Sequence, residues 1–199
     1  MDNVAIFGSA CDPIGSHHEI IVDHIMVNCQ MPTWVMPCFH HRFGKNSRLE
    51  SPQHRWNMVK KLADYRDDEG LIPFDWEIKN KSRGSMFETI ARLKREYPAI
   101  KFHIAIGMDN ANVIENWDRG NFLIQENPFI VFERDGEEAK VDWFKNSPHQ
   151  LLQLNLGNDF SSTALRNAIA SGDYKYAEEH LSKPVWDYIK EHHLYGHRS

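Results

Sequence analysis

Short apolar runs alternate along this chain with segments of helical periodicity, and this alternation restricts the fold more than any other feature. Six runs have the length and composition of strands: residues 4–7, 33–36, 71–78, 101–106, 129–132 and 151–156. Most of them are separated by helical segments of ten residues or more, and connections of that length join parallel strands. The order predicts an α/β fold, with a doubly wound parallel sheet, helices on both faces and a helical C-terminal segment.

Capping residues indicate where several helices begin and end. A helix is predicted over 16–30 because four residues recur on one face: His18, Val22, Ile25 and Cys29. Ser51 before a proline predicts a helix to about residue 65, and Ser85 opens a capping box. Short helices are expected over 110–117 and 121–125, and a surface connection over 136–148. Ser162 is the expected cap of a C-terminal helical region with stops near Gly172 and Pro184.

The length and charge of the chain exclude several classes of protein. The 199 residues suit a single domain over 1–199, and the net charge of -5 argues against general binding to nucleic acid or membrane surfaces. Three cysteines without a CxxC pair argue against disulfides and a zinc site. No apolar run reaches the roughly 18 residues of a membrane span, and no signal peptide is recognised, so a cytoplasmic location is expected.

The loop between the first strand and the first helix has features of an anion site. Neither GxxxxGK[ST] nor GxGxxG is present, but Gly8 begins the loop and a helix N-terminus follows it. Backbone amides and the helix dipole favour an anion there, and His18 in the first turn could donate to a phosphate oxygen. The alternative is that Gly8 and Gly15 are ordinary turn residues and that His18 is an interior histidine.

A second loop-to-helix junction, "FSSTALR", follows the last predicted strand. A serine cap would leave free amides and hydroxyls facing an anion. Arg166 lies one turn further on the same face and offers a planar guanidinium to phosphate oxygens. An ordinary capped helix with a surface arginine explains the segment equally well when it is considered alone.

Other candidates follow the remaining strands. Asp109, after a Gly-x-Asp strand end, could accept from a sugar or an amino group, while a capping Asp and a core Trp117 form the alternative. The basic residues near strand ends could instead be solvated surface charges: Lys45, Arg55 and Arg134. Histidine pairs occur at 17–18, 40–41 and 192–193, but adjacent histidines are expected to diverge on a helix, and HExxH is absent. No dedicated protein metal site is predicted.

Together these segments resemble the nucleotidyltransferase superfamily of α/β phosphodiesterases, and within it the bacterial-type nicotinate (or nicotinamide) mononucleotide adenylyltransferases. The resemblance covers nearly the whole chain and rests on eight segments: "IFGSACDPIGSHHEI", "MPCFHHRFGK", "SPQHRWNMVKKLA", "DWEIKNKSRGSMFETIARLKREYP", "IGMDNANVIENW", "FIVFERDG", "FSSTALRNAIASGD" and "KPVWDYIKEHHLYG". The segment "FSSTALRNAIASGD", similar to ISSTxxR, is the most specific. The implied fold is Rossmann-like, and the implied enzyme transfers an adenylyl group from ATP to a pyridine mononucleotide in NAD biosynthesis.

The resemblance also implies roles for individual residues. Catalysis is assigned to His18, Arg166 and Ser162. ATP binding is assigned to Gly8, Ser9, Asp12, His18, Gly107, Asp109, Ser161, Ser162, Thr163 and Arg166. Binding of the acceptor mononucleotide is assigned to Lys45, Ser85, Met86, Trp117 and Arg134. Mg²⁺ is expected to arrive with ATP, bound mainly through phosphates. A homo-oligomer is compatible with the sequence.

Two segments depart from the family pattern. Gly15 stands where the first histidine of HxGH is expected, and His17 stands where the glycine is expected. Ser85 and Met86 occupy positions that are usually Tyr-Thr and that help to hold the pyridine ring. The alternatives are a related nucleotidyltransferase with a different phosphorylated acceptor and a catalytically weak nucleotide-binding protein.

Overall fold

A computed structural model of the chain describes residues 2–40, 49–133, 136–154 and 161–198. Six strands form one parallel sheet in the order β3-β2-β1-β4-β5-β6. The strands are β1 (Asn3–Ser9), β2 (Thr33–Pro37), β3 (Leu71–Pro73), β4 (Lys101–Gly107), β5 (Phe129–Phe132) and β6 (Gln150–Leu152). The strand order reverses between β1 and β4, which is where ligands bind in open α/β sheets. The predicted fold class is confirmed.

Nine α-helices are found in the described ranges. They are α1 (Ser16–Cys29), α2 (Pro52–Arg66), α3 (Trp76–Lys79), α4 (Met86–Glu96), α5 (Met108–Ala111), α6 (Gly120–Glu126), α7 (Ser162–Ser171), α8 (Tyr174–His180) and α9 (Lys183–Glu191). Two of the predicted caps are confirmed, because Ser51 accepts from the backbone N–H of His54 and Ser85 from that of Glu88. None of the described helices combines the length and apolar character needed to cross a membrane.

The sheet separates two apolar cores because successive strand residues face opposite sides. In β1, Ala5 packs into one core with residues of α1, α2, α7, α8 and α9. Ile6 packs into the other core with residues of α3, α4, α5 and α6. Helices therefore cover both faces, and the C-terminal helices belong to the face that carries α1.

The predicted strand over 71–78 is wrong after Pro73, because α3 begins at Trp76. The alternating apolar residues resemble a strand, yet β2 offers backbone partners to only three residues of β3. Trp76 is buried instead in a helical turn, and its indole N–H donates to Glu96 over 2.6 Å.

Several predicted boundaries change in the second half of the chain. The helical region is interrupted between His180 and Lys183, close to the predicted stop near Pro184. Pro184 itself lies in the first turn of α9, where proline loses no intrahelical hydrogen bond. The stop at Gly172 is confirmed by its φ of 85°. The connection over 136–148 contains a short 3-10 helix, Trp143–Lys145, whose Phe144 is buried in the core. Helix α5 begins two residues earlier than predicted.

Candidate functional site

A cavity of about 550 Å³ opens at the carboxyl ends of β1, β4 and β5. The start of α1, the start of α7 and the segment that follows β4 form its walls, so it lies where the strand order reverses. The predicted residues that line it are Gly8, Ser9, His18, Met86, Gly107, Asp109, Trp117, Ser161, Ser162, Thr163 and Arg166. Two junctions far apart in sequence thus share one crevice.

His18 is held in one defined orientation at the start of α1. The backbone N–H of Gly15 donates to His18 Nδ1 over 3.2 Å, and a backbone N–H can only donate. Nδ1 is therefore the unprotonated nitrogen, and Nε2 carries the proton. Nε2 lies 3.1 Å from Ser9 Oγ, near the N-terminus of α1. The ring presents an N–H donor to the cavity without needing a positive charge.

The cap of α7 is Ser161, not Ser162 as predicted. Ser161 has extended backbone angles, and its hydroxyl accepts from the N–H of Ala164 over 3.1 Å. Ser162 is already helical, and its hydroxyl donates instead to the carbonyl oxygen of Pro13 over 2.9 Å. That bond attaches the N-terminus of α7 to the loop after β1.

Arg166 makes a second link between the two junctions. Its Nη1 donates to the Asp12 carbonyl over 2.6 Å, and its Nη2 donates to Thr163 Oγ1 over 3.0 Å. The Asp12 side chain is fully buried behind the loop, where it accepts from the N–H of Glu50 and from the Tyr195 hydroxyl. Burial raises the pKa of Asp12. Asp12 therefore lies beneath Arg166 rather than on the cavity surface.

Sequence analysis missed His17, which also lines the cavity. The two imidazoles were expected to diverge, but the rings of His17 and His18 lie 3.9 Å apart at 43°. Both residues are in the first helical turn, and His17 Nε2 lies 3.3 Å from Ser162 Oγ at the start of α7. The only sequence signal was the His-His pair itself.

Gly107 allows Asp109 to fold back against the end of β4. A Cβ at position 107 would come within 2.6 Å of Asp109 Oδ1 and 3.1 Å of the Phe132 ring. The first distance is too short for a real Cβ, so a larger residue at position 107 would force the Asp109 carboxylate to move. The carboxylate of Asp109 consequently lies at the cavity edge.

Another part of the cavity wall contains Met86, Trp117 and Asp118. Trp117 Nε1 is buried and has no hydrogen-bond partner within the described part of the chain. Ser85 lies behind this wall, because it is buried and donates to Asp118 Oδ2 over 2.7 Å. Its contact with a ligand would therefore be indirect.

A buried carboxyl group, Glu77, also reaches the cavity. Burial raises its pKa to about 7, against the hydrogen bond from the N–H of Phe39 and the charge of Arg55. Arg55 is itself buried and donates to three backbone carbonyls, of Ala10, Cys38 and Glu50. It is a structural clamp between β1, β2 and α2, not a solvated surface charge.

Two predicted acceptor residues, Lys45 and Arg134, lie outside the described residues. Across the described ranges, no group of three or more histidine, cysteine or acidic side chains could hold a metal ion.

Known structures share this architecture over the full length of the chain. No protein-family model matches the sequence. A Plasmodium falciparum nicotinic acid mononucleotide adenylyltransferase complexed with NaAD is 24% identical, with a TM-score of 0.82 over 100% of this chain and 99% of that one. The same named enzyme complexed with APC gives 24% identity, a TM-score of 0.80, and coverage of 100% and 99%.

A third structure comes from Vibrio parahaemolyticus and is assigned as a nicotinate-nucleotide adenylyltransferase. It is 15% identical, with a TM-score of 0.72 over 98% of this chain and 96% of that one. From its first strand to its last helix, the chain therefore has the Rossmann-like fold of these adenylyltransferases.

Proposed function

We propose that this protein transfers the adenylyl group of ATP to the phosphate of nicotinate or nicotinamide mononucleotide, with release of pyrophosphate. The observation that carries the proposal is the shared cavity, in which an imidazole N–H, two helix N-termini and a guanidinium meet. Such a set of donors suits a polyphosphate. The titles of two structural neighbours name NaAD and APC as bound molecules, which supports the same ligand class here.

The reaction needs alignment more than proton transfer. A phosphate oxygen of the mononucleotide forms a bond to the α-phosphorus of ATP, and the bond from that phosphorus to the pyrophosphate oxygen breaks. The attacking oxygen is already ionised near neutral pH, so the site needs no general base. Catalysis then consists of positioning the two reactants and neutralising charge on the phosphate oxygens.

His18 is the proposed donor to the α-phosphate. Its Nδ1 accepts from the N–H of Gly15, so Nε2 carries the proton, and that nitrogen lies 3.1 Å from Ser9 Oγ on the cavity wall. Gly8 and Ser9 border the same space and would let the backbone approach the reacting phosphates. A donor held in place before the reaction needs no reorganisation when charge develops.

The start of α7 is the proposed site for the β- and γ-phosphates. This helix has ten residues, and the backbone N–H groups of its first turn would face the phosphates. Ser161 and Thr163 could add their hydroxyls, whereas Ser162 would contribute its backbone N–H, because its hydroxyl proton is donated to the Pro13 carbonyl. Arg166 has five N–H donors, and its contacts to Asp12 and Thr163 use two of its nitrogens. The guanidinium can therefore keep its place while it donates to a phosphate.

The part of the cavity wall that contains Met86, Trp117 and Asp118 is the proposed mononucleotide site. The ring of Trp117 would stack on the pyridine, and Asp109 would accept from a sugar hydroxyl. Met86 would contact the ring, with Ser85 acting through Asp118. Lys45 and Arg134 remain proposed ligands of the acceptor phosphate on the strength of the sequence resemblance.

The residues present fit a Mg²⁺ ion that is held chiefly by the nucleotide. The described side chains form no metal cage, and Mg²⁺ commonly keeps several waters and binds substrate phosphates. When bound, it would neutralise charge on the leaving pyrophosphate. We further propose that residues 1–199 act as one domain in the cytoplasm, because both cores share one sheet and the three cysteines are free thiols.

A coupled assay with ATP and Mg²⁺ tests the proposal, with each mononucleotide supplied separately and dinucleotide and pyrophosphate both quantified. We expect equal amounts of the two products with at least one mononucleotide. Pyrophosphate release with another phosphorylated acceptor only, or ATP binding without turnover, would contradict it. The matched control is the His18→Ala variant, which excludes a contaminating activity.

A further inference from the structure

His17 is placed between the two junctions that form the cavity. It is 8% exposed, its ring packs at 3.9 Å against that of His18, and its Nε2 lies 3.3 Å from Ser162 Oγ. No role was assigned to it from the sequence. It contacts one group from each junction, and the proposed reaction depends on the spacing of those groups.

The direction of the bond between His17 and Ser162 follows from the neighbouring bond. The proton of the Ser162 hydroxyl goes to the Pro13 carbonyl, so Oγ accepts from His17. His17 Nε2 therefore carries the proton in this contact. The series from His17 through Ser162 to Pro13 closes a loop between α1, the segment after β1, and α7.

Gly15 leaves the space that this arrangement needs. A Cβ at position 15 would lie 2.8 Å from Leu165 Cδ1, 3.1 Å from the carbonyl oxygen of His180 and 3.4 Å from His17 Nδ1. A side chain there would displace Leu165 of α7 and crowd the carbonyl oxygen of His180, while its distance to the His17 ring is an ordinary van der Waals contact. The glycine therefore lets α7 pack closely against the start of α1.

We propose that His17 is a positioning residue, which fixes the separation between the His18 donor and the N-terminus of α7. Its ring limits the orientations of His18, and its N–H holds Ser162. This inference rests on the proposed adenylyl transfer. It assigns His17 no contact with substrate, so its removal should lower kcat more than it raises KM for ATP.

Two substitutions separate the two contacts. His17→Phe keeps a stacked ring and removes the N–H, whereas His17→Gln keeps a donor near the Nε2 position and removes the ring. We expect each to lower kcat about tenfold with KM for ATP changed less than about threefold, because small misplacement of aligned groups is costly. His24→Gln is the matched control on the same helix, away from the cavity, and should retain wild-type kcat.

Double variants show through which residue each contact acts. In a Ser162→Ala background, His17→Phe should not lower kcat further, because its contact to Ser162 is already lost. In a His18→Ala background, His17→Gln should likewise not lower kcat further, because the effects of coupled residues are not additive. Multiplicative losses in both backgrounds would overturn the inference, since His17 would then act independently. Wild-type kcat in both single variants would overturn it as well.

The outcomes for the proposed function and for this inference are distinguishable. An inactive wild-type protein contradicts the proposed function. An active wild-type protein whose His17 variants match it contradicts the inference alone. Thermal unfolding of each variant shows whether it folds. If His17→Phe does not fold, the decisive comparison is the effect of His17→Gln on kcat in the wild type and in the His18→Ala variant.

Discussion

The two ends of the cavity are built in different ways. The proposed phosphate end, formed by His17, His18 and the start of α7, is tied by side-chain bonds between residues about 150 positions apart, such as Arg166 with Asp12 and Ser162 with Pro13. The proposed acceptor end, formed by Met86, Asp109, Trp117 and Asp118, lies on segments that follow β4 and open α4.

This difference fits the two tasks that we propose for the site. Most of the donors at the phosphate end are engaged and fixed before a ligand arrives, as charge stabilisation requires. The acceptor end presents an aromatic ring, carboxylates and a flexible methionine, which suit selection of a ring and a sugar. Substitutions at the phosphate end should therefore lower turnover or ATP affinity, and those at the acceptor end should change the KM of the acceptor.

The largest effect is expected for His18→Ala at the phosphate end. Loss of one fixed donor to an oxyanion typically costs ~10²–10³ in rate, so kcat should fall by that factor while the fold is retained. Steady-state kinetics with saturating ATP and acceptor measure the effect. A kcat close to that of the wild type would remove His18 from the proposed chemistry.

The next effect concerns Glu77, beside the acceptor-end helix α4. Its pKa of about 7 exceeds the ordinary 4.5, so the folded state binds its proton more tightly than the unfolded state. The contribution of the Glu77 carboxyl to the free energy of unfolding is fully present below about pH 4.5 and is lost as the pH rises through about 7. Glu77→Gln should abolish this loss, which is on the order of 3 kcal/mol.

Urea unfolding of the wild type and of Glu77→Gln at pH 5 and pH 8 tests that prediction. At pH 8 the free energy of unfolding of the variant should exceed that of the wild type. At pH 5 this difference should be smaller. An equal difference at both values would mean that the Glu77 carboxyl does not titrate in this window.

Arg166 provides the third test. Arg166→Lys keeps the charge but cannot hold the Asp12 carbonyl, Thr163 and a phosphate together, because the planar fork is lost. We expect KM for ATP to rise roughly 30-fold, in line with the loss of charge-assisted hydrogen bonds. KM for the acceptor should not change. If instead only KM for the acceptor rises, the assignment of the two ends to ATP and to the mononucleotide is reversed.

The smallest effect is expected at the acceptor end. Trp117→Ala should raise KM for the mononucleotide about tenfold and leave KM for ATP unchanged, because stacking is lost on one substrate only. Trp117→Phe should recover most of the affinity. If Trp117→Ala affects ATP and the mononucleotide equally, the tryptophan is a core residue rather than a ligand contact.

The same contrast explains which parts of the molecule could be predicted from the sequence. Helix caps and the alternation of strands with helices are local patterns of the sequence. Ser51 and Ser85 cap their helices and Gly172 ends α7, as predicted. The extent of β3 was not predictable, because it is set by the partner strand rather than by its own residues. The orientation of His17 likewise depends on α7, which lies about 145 residues away.

Two further features depend on long-range packing. Tyr195 donates to Asp12 from the C-terminal segment, and Arg55 donates to carbonyls that directly follow β1 and β2. Neither residue has a neighbouring pattern that indicates a buried partner. In the candidate site, sequence motifs therefore located the donors, while the supporting contacts became visible only in the folded chain.

Equilibrium binding of ATP and AMP, measured by calorimetry without acceptor, tests most directly whether the two junctions hold one triphosphate. The account predicts a single ATP per chain, bound at least about tenfold more tightly than AMP because the β- and γ-phosphates reach α7. Arg166→Ala should remove most of that advantage and leave AMP binding unchanged. Equal affinities for ATP and AMP in the wild type, or the same loss for both nucleotides in the variant, would contradict it.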